Sequence, residues 1–211
     1  MKAVFNLAMP PTCLKVLLVE DNPYEAELIE DLLSRISSNK QQISLRRAER
    51  LSEALLHLNQ ETFDIILLDI SLPDSRGIET VARVQEYGVN VPIVVLTGQN
   101  DEALALRLIS VGVQDYLIKR KIDGELLIRS IRYAIERQNS QDDLRKSEEK
   151  YRSVVENSLI GIAIIGPIID SEIWEHCTWI EVNDALCNLL DYDRDELVQK
   201  NWLELTHPED L

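Results

Sequence analysis

FDIILLDISLPDS, residues 63–75, runs four apolar side chains, Ile65 to Leu68, straight into a carboxylate, Asp69. Such a run leaves no solvent face. It reads as a strand buried on both sides, as in a parallel sheet covered by helices. An acid that ends a buried strand sits where open α/β sheets bind ligands, at the carboxyl rim.

The surrounding chain supplies the rest of that sheet. Short β-rich runs at 14–19, 43–47, 64–68, 92–96 and 116–118 alternate with helix-length patterns. The first helix is expected to start at Asn22-Pro23, an N-cap followed by proline, with Leu28, Leu32 and Ile36 as its four-residue step. The second carries Leu51, Leu55 and Leu58; the third follows Gly77 with Ile78, Val81, Ala82 and Val84. The fourth opens at Asn100-Asp101 and stops near Gly112, and the fifth begins near Gly124 with Ile128, Ile131, Ala134 and Ile135. Strand then helix, five times over, predicts a doubly wound, five-stranded parallel sheet with right-handed crossovers.

The fifth helix has no stop signal. RQNSQDDLRKSEEKYRSVVENS continues it without Gly or Pro, its sparse apolar steps being Leu144, Tyr151, Val154 and Val155. Helix formers dominate this stretch, so a connecting helix or short coiled coil is expected rather than a flexible linker. Beyond it, IGIAIIGPIID reads as a strand and turn, and WIEV as a half-buried strand. NDALCNLLDY reads as a short helix with Ala185, Leu186, Leu189 and Leu190 on one side, and Asp193 stands three before Glu196 like a capping box. Two strands do not bury a sheet face alone, so this second domain reads as incomplete. The expected boundaries are an arm over 1–13, a first domain over 14–137, a helical linker over 138–150 and a partial domain over 151–211.

The charge is uneven. Lys and Arg number 22 against 37 Asp and Glu, a net of -15. Up to Ser140 there are 16 basic and 20 acidic residues; from Gln141 onward there are 6 and 17. Phosphate-backbone binding needs clustered cations, so nucleic acid is not an expected partner. The apolar runs are too short for membrane insertion. The N-terminal MKAVFNLAMPPTC, interrupted by Pro10 and Pro11, reads as a loose arm rather than a signal peptide. Cys13, Cys177 and Cys187 are odd in number and form no CxxC, which suits a reducing cytoplasm. His176-Cys177 and His207 are better read as loop and helix-start residues than as metal ligands.

Five polar residues end the predicted strands. Glu20 and Asp21 follow the first, Asp69 the third, Thr97 the fourth and Lys119 the fifth. Taken singly, each has an ordinary explanation as a turn cap, a loop start or a surface lysine. Their shared position on one rim favours a common site. Clustered carboxylates raise one another's pKa, and Mg²⁺, which prefers oxygen ligands, relieves that. Such a site suits phosphoryl transfer, with Asp69 as nucleophile and Thr97 and Lys119 contacting phosphoryl oxygens.

Residues 14–137 resemble a response-regulator receiver domain of two-component signalling. The likeness is carried by VEDN at 19–22, LLDISLPDSRG at 67–77, PIVVLTG at 92–98 and DYLIK at 115–119. It implies a flavodoxin-like sheet and a phosphoacceptor, Asp69, served by a histidine kinase or phosphotransfer protein. It implies Mg²⁺ held by Glu20, Asp21, Asp69 and the Ser71 backbone carbonyl, and a switch pair of Thr97 and Tyr116. Proline usually follows the lysine in this family; Arg120 stands there here, so the loop is expected to close differently. From about Ser147 the chain is similar to the front half of a PAS sensor domain, an α+β fold. Chains of this kind continue into a histidine kinase or diguanylate cyclase, and no complete enzyme domain is expected within these residues. A homodimer through the linker helix is the expected assembly. A phosphate-independent dimerisation scaffold is the alternative. An aspartyl-phosphate phosphatase is disfavoured because Ser71 stands where such enzymes need a second Asp.

Overall fold

Parallel strands need long crossovers, and the chain supplies a helix at each of them. The computed structural model describes residues 13–37, 42–87, 90–98, 102–166, 179–200 and 205. Residues 1–12 of the arm expected over 1–13, the Asn100-Asp101 helix start, Pro167, His176-Cys177 and His207 lie outside them, while Cys13 opens the first strand. The chain divides into two units, 1–141 and 142–211.

In the first unit the elements run β1 (Cys13–Val19), α1 (Pro23–Ser37), β2 (Gln42–Ala48), α2 (Leu51–Gln60) and β3 (Ile65–Asp69). A two-residue ladder, β4 (Ser71–Leu72) with β5 (Ser75–Arg76), follows. Then come α3 (Ile78–Glu86), β6 (Ile93–Thr97), α4 (Glu102–Ser110), β7 (Asp115–Ile118) and the start of α5 (Gly124–Glu156), whose residues from 142 onward belong to the second unit. The five main strands are all parallel, in the order β2-β1-β3-β6-β7. The chain order reverses between β1 and β3, which opens a crevice at the strand ends.

Strand periodicity divides the core in two. Leu17 and Val19 of β1, Ile66 and Leu68 of β3, and Ile93 and Val95 of β6 pack under α2, α3 and α4. Leu14, Val16 and Leu18, Ile65 and Leu67, and Val94 and Leu96 point the other way, under α1 and α5. Every residue of β3 and β6 is buried, as the unbroken apolar runs predict. Burying one such side chain contributes about 1.5–3 kcal/mol.

Two helix stripes differ from the sequence reading. On α1 the buried residues are Ala26, Ile29 and Leu33, while Leu28 is exposed and Leu32 only flanks the core. A strict four-residue step drifts about 40° per step around the helix, and the small Ala26 lets the helix lie close to the sheet. On α5 the buried residues are Leu127, Ser130, Ile131 and Ala134 and, near the far end of the helix, Val155; Ile135 packs at the edge of the core. The helix ends behave as expected. Asn22 Oδ1 accepts the Tyr24 N–H at 3.0 Å at the start of α1. Gly112, at φ +91°, ends α4, and the next N–H, that of Val113, bonds back to Leu108 O at 3.2 Å.

In the second unit, β8 (Ala163–Ile165) pairs antiparallel with β9 (Trp179–Val182), followed by α6 (Asp184–Leu190) and α7 (Arg194–Gln199). Asn183 is fully buried and binds four backbone groups. Its Oδ1 accepts the N–H groups of Ile162 at 2.8 Å and Leu186 at 3.0 Å; its Nδ2 donates to Val155 O at 2.8 Å and Ile160 O at 2.9 Å. Leu189 is 74% exposed, off the expected apolar side. The Asp193 side chain makes no cap bond. The start of α7 is held instead by Arg194, whose guanidinium meets Glu156 at 2.9 Å and Asp184 at 2.8 Å. Among the described residues no helix is long and apolar enough to cross a membrane.

Candidate functional site

The rim residues sit where strand geometry sends them. Glu20 extends β1, its N–H donating to Ala48 O at 2.9 Å. The side chain is fully buried beneath the rim. Asp69 closes β3 and is 3% exposed; its Oδ1 accepts the Ser71 N–H at 3.0 Å. Gly77, at φ +63°, donates to Ile70 O at 2.6 Å and closes the loop that follows. Asp21 is half-buried beside them. One carboxylate oxygen each from Glu20, Asp21 and Asp69 lies within 4.8 Å of the others.

Lys119 crosses to this cluster from the end of β7. Its Nζ lies 2.6 Å from Glu20 Oε2, 2.8 Å from Asp69 Oδ2 and 2.6 Å from Glu25 Oε2. The contact with Glu20 Oε2 is an ion pair outside hydrogen-bond geometry, and that oxygen is buried with no directed bond. Lys119 begins a single 3₁₀ turn, Lys119–Lys121, with Arg120 exposed. The loop therefore closes without the proline common in the resembled family, and the ammonium still reaches Asp69.

The electrostatics follow from the crowding. Burial pushes the Glu20 carboxyl up to about 7; the Asp69 charge adds to the rise, while Lys119 and the Asn22 N–H oppose it. Burial disfavours the Lys119 ammonium, but the carboxylates of Asp69, Glu20 and Glu25 packed against it outweigh that and hold its pKa above the usual lysine value. One ammonium does not balance this many carboxylates. The all-oxygen donor set and the buried Glu20 Oε2 fit a hard divalent cation such as Mg²⁺.

Thr97 ends β6 and is 5% exposed. Tyr116 pairs in register with Val95, two residues before Thr97, so the two side chains share a sheet face. Tyr116 is half-buried against the core under α2, α3 and α4. The structure thus brings Glu20, Asp21, Asp69 and Lys119 together and sets Thr97 at the end of the neighbouring strand β6 and Ser71 two residues after Asp69. Glu25 is an addition to the sequence reading. Its only signal is its place in the first turn of α1, one turn after Asp21. Asp74 is another: it accepts the N–H groups of Leu51 and Ser52, both at 2.9 Å, and so caps α2 from the loop after Asp69.

Comparison with known proteins agrees with this architecture. The response regulator receiver domain family matches residues 16–132. The transcriptional regulatory protein PhoP of Escherichia coli is 33% identical over 127 residues, 60% of this chain and 54% of that protein. The sensor histidine kinase TmoS of Ectopseudomonas mendocina is 28% identical over 227 residues, 92% of this chain and 22% of that protein. The signal receiver domain of an HD domain-containing protein from Pseudomonas fluorescens superposes with a TM-score of 0.55 at 26% identity, covering 65% of this chain and 98% of that one. The chain spans between about a fifth and about half of the length of these curated relatives.

Proposed function

The chain belongs to the response regulator receiver domain family, and we propose that Asp69 is the aspartate on which it accepts a phosphoryl group. Members of the family take that group from histidine kinases or phosphotransfer proteins. The observation that carries the proposal is the meeting of Asp69, 3% exposed, with the Lys119 ammonium at 2.8 Å. An Asp69 oxygen attacks the phosphorus of a phosphohistidine. The P–N bond breaks, and the histidine nitrogen leaves with the electron pair and takes up a proton. Lys119 offsets charge on the phosphoryl oxygens, and Thr97 donates its hydroxyl to one of them. Glu20, Asp21, Asp69 and the Ser71 carbonyl would hold Mg²⁺, which when bound neutralises charge on the transferring group. Thr97 and Tyr116, on one sheet face, form the switch that reports the modification.

Residues 14–137 act as the receiver, 138–150 as the linker and 151–211 as the front of a PAS sensor domain, to which the signal passes along α5. The likeness to a sensor histidine kinase over 92% of the chain supports a histidine kinase as the output, with a diguanylate cyclase as the alternative. A homodimer through α5, a cytoplasmic location and no direct binding of nucleic acid complete the proposal. Acetyl phosphate with Mg²⁺ is expected to add one phosphoryl group by intact mass. Loss of that increment in Asp69→Asn supports the assignment; labelling that survives the substitution refutes it.

A further inference from the structure

A lysine ammonium has three N–H donors. At Lys119 three carboxylates surround them: Glu20 Oε2 at 2.6 Å, Glu25 Oε2 at 2.6 Å and Asp69 Oδ2 at 2.8 Å. The directed N–H bonds go to Glu25 and Asp69, and a phosphoryl group on Asp69 brings further anionic oxygens that compete for them. The three partners are not equally replaceable. Glu20 is fully buried, and its other oxygen accepts the Asn22 N–H at 3.2 Å. Asp69 bears the phosphoryl group itself. The Glu25 side chain is 42% exposed and can turn into water at small cost.

The position of Glu25 on its helix is unusual for the same reason. With Asn22 as the cap and Pro23 first in α1, Glu25 is the third helical residue. A glutamate there ordinarily closes a capping box by accepting the backbone N–H of the cap residue. Here that N–H goes to Glu20 Oε1. Glu25 instead reaches across the rim to a lysine 94 residues away in sequence.

We propose that Glu25 is a positioning residue, an anionic placeholder that occupies the Lys119 ammonium until a phosphoryl group on Asp69 displaces it. This rests on the reading of Asp69 as the acceptor. In the unmodified protein Glu25 helps hold Lys119 over the rim and competes with the incoming group. Its displacement turns a carboxylate on the first turn of α1 out to solvent, so the state of the site is exposed on that helix.

The test uses the full chain, saturating Mg²⁺ and beryllofluoride as the phosphoryl analogue. Binding is followed by the backbone amide NMR signals of Ser71 and Gly98. Glu25→Gln is expected to bind beryllofluoride about two- to fivefold more tightly, the size of a part-exposed ion pair. Glu25→Asp, which keeps the charge, is expected to bind less tightly than Glu25→Gln. In the wild type, saturation should move the Glu25 carboxyl ¹³C signal to where it lies in unliganded Lys119→Met. An unchanged or weaker affinity for Glu25→Gln, or a Glu25 carboxyl signal that does not move, overturns the proposal. Asp69→Asn separates the two readings: if it still binds beryllofluoride, the acceptor assignment itself is wrong, whatever Glu25 does.

Discussion

At Glu20, burial raises the carboxyl pKa to about 7 from an ordinary value of 4.5. A raised acid holds its proton more tightly in the folded chain than in the unfolded one. The stability tied to that difference is therefore full below about 4.5 and is lost as pH rises through about 7. In chelator the protein should become less stable between pH 6 and 8, by about 1 kcal/mol, and saturating Mg²⁺ should reverse the loss. The same proton competes with the cation, so Mg²⁺ affinity should fall about tenfold per pH unit below 7 and level off above it. Calorimetric Mg²⁺ titrations from pH 5.5 to 8.5 check this; a flat profile would remove Glu20 from the metal site. Most of this rim was legible in the sequence, because an acid, a hydroxyl or an ammonium ends each buried strand at its carboxyl side. Glu25 was not, because a glutamate in a first helical turn has a commoner use within its own helix.

Helices here depend on groups remote in the chain, which local patterns do not reveal. Arg50 precedes α2 and offers no side-chain cap; Asp74, from the loop after Asp69, supplies it. The two backbone N–H groups hold the Asp74 carboxyl below its usual pKa against the opposing effect of its own burial. Its stabilisation is present above the ordinary aspartate value and is lost as pH falls through the lower, folded one. Asp74→Ala should cost about 0.5–2 kcal/mol at neutral pH in chemical denaturation, and less at pH 3. Equal losses at both pH values would contradict an ionised cap. Asn183 has the same role in the second unit. Asn183→Ala strands the carbonyls of Val155 and Ile160 and the N–H groups of Ile162 and Leu186. A loss of about 2–4 kcal/mol in that unit is expected, read as faster hydrogen exchange at Ile162 and Leu186 with β3 and β6 unaffected. The sequence marked Asn183 only as the start of a helix, since its other partners come from residues 155–162. The stripe on α1 differs from the four-residue step because side chain type does not mark which face meets the sheet: Ala26, Ile29 and Leu33 lie on the covered face, while Leu28 points to solvent.

At the scale of the chain, the five-strand order was legible because buried parallel strands lose their alternation and helices must return the chain. Helix α5 is the long-range element, 33 residues or about 50 Å. Leu144 is 61%, Tyr151 50% and Val154 62% exposed along it. Leu144 and Tyr151 are one heptad apart, and a helix so sparsely apolar is marginal alone in water. A weak homodimer is the expected outcome, with Leu144→Lys and Val154→Lys together shifting sedimentation toward monomer across a concentration series. A monomer at every concentration in the wild type would remove α5 as the contact. Phosphoryl acceptance at the rim depends on one side chain, that of Asp69. After treatment with acetyl phosphate and Mg²⁺, borohydride reduction converts an aspartyl phosphate to homoserine, which peptide mass mapping locates. Homoserine at position 69, and only when phosphodonor and Mg²⁺ are both present, is the result predicted; homoserine at another carboxylate, or none in fully folded protein, would contradict it.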